Sequence, residues 1–94
     1  MQRQNSQFPD VHMVKFSLTH HLLMITKFYN KTISIDDLKV INPKKFNRFS
    51  HVQRSLLKLH LDNLIHLNVD NTWRITPKGI AFIYDFAAVN PLTQ

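Results

Sequence analysis

The sequence has no cysteine and no glutamate, a single glycine, and no long apolar run. Each absence excludes something. Without cysteine there is no disulfide scaffold, no thiolate zinc site and no cysteine nucleophile. Without glutamate the acids are aspartates only, and the one adjacent pair, Asp36-Asp37, is better suited to favouring a helix N-terminus than to acid–base catalysis. With Gly79 as the only glycine, no Gly-rich loop can cradle a phosphate. Nothing approaches the roughly 18 consecutive apolar residues of a membrane-spanning helix, and the opening MQRQNSQ lacks the apolar centre of a signal peptide. These readings lead to the expectation of a non-enzymatic, cofactor-free protein, soluble and cytoplasmic, associated with the nucleoid and not with a membrane.

What is present is a core and a charge. At 94 residues with 44% hydrophobic content, seven Phe among them, the chain has room for one small globular domain. Twelve Lys and Arg against six acids give a formal charge of +6 and a pI near 10. Such a balance favours polyanionic partners. Residues 1–15 read as a flexible leader, 16–89 as the domain and 90–94 as a tail.

Within the domain, punctuation sets the order of elements. Ser17 caps a helix to about Tyr29, with Leu18, Leu22, Ile25 and Tyr29 at helical spacing. Thr32-Ile33 can form a short strand, after which Ser34 caps a second helix over Ile35 to Ile41, with Asp37 in its first turn. Asn42-Pro43 ends it. Ser50 and Gln53 have the spacing of a capping box, which predicts a third helix from Ser50 to about Asp62 with Val52, Leu56 and Leu59 as one buried seam and Leu57, Leu61 and Leu64 as a neighbouring one. Asn63 is a suitable left-handed terminator. Leu64–Val69, the turn pair Asp70-Asn71 and Thr72–Ile75 read as a β-hairpin. Thr76-Pro77 then starts a last helix, with Thr as cap and Pro at the first helical position, carrying Ile80, Ile83, Tyr84 and Ala87 inward.

Two stretches, SHVQRSLLKLHLDNLIHL and WRITPKGIAFI, together with this order, resemble the winged helix-turn-helix domains of prokaryotic and archaeal transcription regulators, including MarR-like and PadR-like proteins. The resemblance covers about residues 16 to 88. It implies an α+β, mainly helical fold: helix, short strand, helix, recognition helix, β-hairpin wing and C-terminal helix. The chain departs from the family at Asn63, where Gly is usual, and in having no Arg- or Gly-rich wing tip, which argues against deep minor-groove contact.

The chemistry of the third helix agrees with that resemblance. DNA reading needs cations for phosphates and Arg, Asn, Gln or Ser for base edges. From Lys39 to Leu61 there is no acid and six Lys or Arg, half of the cations in about a quarter of the chain. Gln53 and Arg54 are the candidates for base contact, and Lys44, Lys45, Arg48 and Lys58 for phosphate. Asn47, Ser50, His51 and Ser55 complete the polar face. Arg74 beside the hairpin turn and Lys78 in the last helix are suited equally to a flanking phosphate and to plain solvation. A charge cluster on a helix is otherwise an ordinary solvated surface, so a winged-helix protein-interaction module that never touches DNA stays open beside sequence-specific duplex binding by a small transcriptional regulator, plasmid, phage and viral regulators included.

Trp73 could stack on bases, but a lone Trp on a hairpin strand more often closes a core. The six His predict no metal site: neighbours such as His20-His21 point about 100° apart on a helix, and His51, His60 and His66 lack companion ligands at chelating spacing. The first and last helices are apolar around much of their circumference, where a surface helix confines its apolar stripe to one side. That surplus predicts a homodimer through Leu22, Phe28, Phe82, Phe86 and Val89, an arrangement that the resemblance also implies.

Overall fold

The computed structural model of the chain describes residues 8 and 10–89. They form four helices and a two-stranded antiparallel hairpin: α1 (Leu18–Tyr29), α2 (Ile35–Ile41), α3 (Phe49–Leu61), β1 (Ile65–Leu67), β2 (Trp73–Ile75) and α4 (Pro77–Val89). The architecture is α+β and mainly helical.

Local chemistry accounts for most of the boundaries. Ser17 Oγ accepts from His20 N and starts α1. Asn30, in the left-handed conformation at φ 50°, ends it. Ser34 and Asp37 form a reciprocal capping box on α2, with Asp37 N donating to Ser34 Oγ (3.2 Å) and Ser34 N donating to Asp37 Oδ2 (2.9 Å). Hydrogen bonding to the carboxylate, from the Ser34 amide first and then from the Ser34 hydroxyl, holds the Asp37 carboxyl below its usual pKa. Asn63 takes φ 64° after α3, as expected of the next best residue to Gly there.

The start of α3 departs from the expected one. The helix begins at Phe49, with Arg48 in the cap position and no side chain accepting from its first turn. Ser50 lies inside the helix, so the Ser50–Gln53 capping box does not form. The physical cause lies upstream. Phe46 is buried, its amide donates to Asn42 O and the Lys45 amide to Asn42 Oδ1, so the turn after α2 is pinned. The chain then leaves extended backbone at Arg48, whose carbonyl accepts from Val52 N.

The core is one cluster drawn from every element, with Leu22, Leu23, Ile33, Leu38, Val52, Leu56, Leu59, Leu64, Ile65 and Trp73 almost fully buried. Trp73 is its centre. Its backbone exchanges two hydrogen bonds with Ile33, adding that residue to the hairpin as an isolated antiparallel bridge. Its Nε1 donates to Thr26 Oγ1 (2.9 Å), which in turn donates to Leu22 O (2.7 Å), so both buried polar groups are satisfied. The core reading of Trp73 holds, and stacking on a base is closed to it.

α4 is fixed by its glycine. A Cβ on Gly79 would lie 2.1 Å from the Leu64 carbonyl oxygen, so only Gly lets α4 approach the backbone that leads into β1. Thr76 ties the same junction: its hydroxyl donates to Asn63 O (2.7 Å) and accepts from Gly79 N (2.9 Å). This contact sets the rotation of α4 and turns Phe82, Ile83 and part of Phe86 inward. Tyr84 and Ala87, expected inside, face out. Similarly, Leu57 and Leu61 point outward, so the expected second seam of α3 is absent and only Leu64 of that set is buried.

Part of the expected leader is packed. Phe8 is buried edge-on to Phe82 at 5.4 Å between ring centroids, and Val11 and Met13 lie against the core. The rest of that leader, residues 1–7 and 9, and the tail at 90–94 lie outside the described residues. No helix among the described residues is long and apolar enough to cross a membrane.

Candidate nucleic-acid interface

α3 packs its inner seam on α1 and on β1, leaving one long side of the helix uncovered. On that side Ser50, Gln53 and Arg54 are exposed, as is His51. The approach to α3 adds Lys44, Lys45, Asn47 and Arg48, all exposed because the buried Phe46 anchors the turn from beneath. Lys44, Lys45, Arg48 and Arg54 have no acidic partner among the described residues. Four unneutralised cations and a side-chain amide therefore share one end of one helix. Such a set can neutralise phosphates and offer Arg and Gln to base edges.

Two of the expected residues are used differently. Ser55 turns toward α1 and accepts from Thr19 Oγ1 (3.0 Å), so it braces the α1–α3 contact instead of facing out. Lys58 is paired with Asp62 at 2.8 Å across one helical turn, which offsets its charge. That pair is partly exposed and worth little to stability. Its effect on the surface is to confine the uncompensated cations to the N-terminal half of α3.

The hairpin stands beside this helix. His60 Nδ1 on α3 accepts from Leu67 N (3.2 Å), tying helix to strand. Between them lies an open groove of about 420 Å³ lined by Ser50, Gln53, Arg54 and Leu57 from α3 and by Leu67 and Asn71 from the hairpin. Leu57, expected in a buried seam, Asn71, expected only as a turn residue, and Leu67 join this surface beyond the residues that the sequence assigned to it. For Leu57 the signal was available: at 100° per residue it falls about 140° from Val52. Leu67 and Asn71 enter only through the folding of the hairpin against α3.

The hairpin turn carries an acid. Asp70 Oδ1 accepts from the Thr72 hydroxyl (2.7 Å) and the Thr72 amide (3.1 Å), and these bonds lower the Asp70 pKa and keep it ionised. A carboxylate at the tip repels phosphate. Arg74, opposite His66 in the ladder, is the exposed cation of the strands. Lys78 lies over the Phe8 ring, 5.9 Å from its centroid, and is half-buried there.

The residues expected at a dimer interface are divided by the fold. Leu22 and Phe82 are buried within the chain's own core and are not available to a second copy. Phe86 is half-buried, stacked on Phe82 (5.5 Å) and edge-on to His20 (5.0 Å). Phe28 is 79% exposed. The side chain of Val89 lies outside the described residues. The large exposed apolar side chains of the terminal helices are instead Met24, Phe28, Tyr29 and Tyr84.

Among the described residues no three His or Asp side chains converge as a metal site. Comparison with family models, with curated proteins and with solved structures finds no match to this chain.

Proposed function

We propose that this chain is a winged-helix DNA-binding protein that places the N-terminal half of α3 in the major groove of a duplex and acts by occupancy, not catalysis. The observation that carries the reading is the exposed, unpaired set Lys44, Lys45, Arg48 and Arg54 flanking Gln53 at the start of an uncovered helix. Arg54 and Gln53 meet base edges, and the three cations of the approach meet phosphates. The hairpin lies alongside as the wing, with Arg74 for a flanking phosphate and Asp70 keeping the tip out of the minor groove.

Fluorescence anisotropy on a random duplex across a salt series tests this. With about four phosphate contacts, log K falls against log salt with a slope of about −4. A protein-interaction module on the same fold gives no such slope, and that outcome would falsify the reading.

A single domain meets few base pairs, and pairing through a two-fold axis doubles the site. We therefore propose a homodimer formed through Met24, Phe28 and Tyr84, which are among the large apolar groups that the terminal helices leave uncovered. In sedimentation equilibrium at micromolar concentration, wild type runs as a dimer and the double variant Phe28→Glu, Tyr84→Glu as a folded monomer. A wild-type monomer mass, or a dimer unchanged in the variant, rejects this interface.

A further inference from the structure

Resting on the DNA-binding reading above, we infer that Leu57 reads thymine through its 5-methyl group, so that α3 selects a thymine beside the base pair met by Arg54. At 100° per residue, Ser50, Arg54, Leu57 and Leu61 fall within about 60° of one another, opposite the buried seam of Val52, Leu56 and Leu59. The middle of the outward face is therefore partly apolar. Leu57 is 50% exposed and Leu61 70% exposed. Leu57 forms part of the wall of the groove between α3 and the hairpin, with Gln53 and Arg54 next to it and Leu67 across.

The chemistry of that wall matches one feature of duplex DNA. Every other group that a base pair presents in the major groove is a hydrogen-bond donor or acceptor, and the thymine methyl is the apolar exception. Gln53 and Leu57 are four residues apart, about 6 Å along the helix, which is close to two base-pair steps of about 3.4 Å each. An amide that pairs with adenine and a leucine that covers a methyl thus fall on A·T pairs about two steps apart. No acidic residue lines the groove, and the exposed cations Lys44, Lys45 and Arg48 lie on the approach to the same helix. Phosphate and methyl presented together are a property of duplex DNA, which is why the occupant is DNA and not an apolar protein surface.

The test begins with sequences selected by the wild-type protein from a random duplex pool. In the recovered site each thymine is replaced in turn by deoxyuridine, which removes the methyl and keeps every hydrogen bond. At one thymine per α3, wild-type affinity falls about fourfold, the contribution of one buried methyl. Leu57→Ala, half-exposed and folding like wild type, binds the thymine and uracil forms alike, and Leu57→Met restores the difference. A selected site without thymine, uracil forms bound as tightly as the parent, or a methyl preference that survives in Leu57→Ala overturns the inference while leaving a steep salt slope intact. Absence of binding to any duplex at low salt overturns both this inference and the reading beneath it.

Discussion

Helices α3 and α4 use their surfaces in opposite ways. α3 buries one seam and leaves a mixed side of cations, amide and leucine uncovered, whereas α4 is apolar on most sides and carries only Lys78 and Asp85 as charges. The orientation of α3 is legible from its polarity, because a helix with one polar side has one way to face a core. The orientation of α4 is not, because its apolar residues fit several rotations and Gly79 against the Leu64 carbonyl chooses among them. Substitutions in α4 should therefore act on stability, and substitutions on the outer side of α3 on binding.

Gly79→Ala should give the largest effect. Its methyl meets a backbone oxygen that cannot move aside without displacing the junction between α3 and the hairpin, so the loss is about 3 kcal/mol, within the range of overpacked cores. Chemical denaturation measures it. A change below about 0.5 kcal/mol would mean that α4 can rotate and that its packing is not set by this contact.

Arg54→Ala should leave the denaturation midpoint unchanged, since an exposed substitution alters stability little. It should weaken DNA binding by about 1 to 3 kcal/mol and relax preference at one base pair. Lys45→Ala should weaken all sequences alike. The comparison breaks if Arg54→Ala unfolds the chain or if both variants bind as wild type does.

The starts of α2 and α3 give a finer contrast. Ser34→Ala removes a formed cap and should cost about 1 kcal/mol in stability. Ser50→Ala removes a hydroxyl that caps nothing and should cost close to none. Equal losses in the two variants would place the start of α3 at Ser50 after all.

The smallest effect concerns pH. His20 on α1 lies edge-on to Phe86 of α4 and accepts from Phe16 N through Nδ1 (2.9 Å). Burial first, then the neighbouring charges of His21 and Lys15, lower its pKa. The unfolded chain therefore binds the proton more readily than the folded one, so the contribution of His20 to stability is intact above the ordinary histidine value, roughly pH 6.5. It declines as pH falls through that value. His20→Gln should flatten the pH dependence of the thermal midpoint between about pH 7 and 5. An unchanged profile would show that the α1–α4 seam does not sense this proton.

Much of this protein was decided locally. Ser17, Ser34 and Thr76 each start a helix by accepting from an amide three residues on, and Asn63 ends one because it tolerates positive φ. Such bonds involve neighbours in the chain, so their residue types are sufficient to place them. The basic, acid-free stretch from Lys39 to Leu61 was likewise a property of the sequence, and charge is expelled to the surface wherever the fold puts it. Tertiary structure decided what neighbours do not control. It moved the start of α3 ahead of Ser50 through the anchored Phe46, placed Leu57 in a groove with Leu67 and Asn71, turned Ser55 toward Thr19, and took Leu22 and Phe82 into the core. Each outcome depends on which surface of an element meets another across the core, and that choice is made by packing, which rewards the arrangement that leaves the least void and the fewest unpaired polar groups.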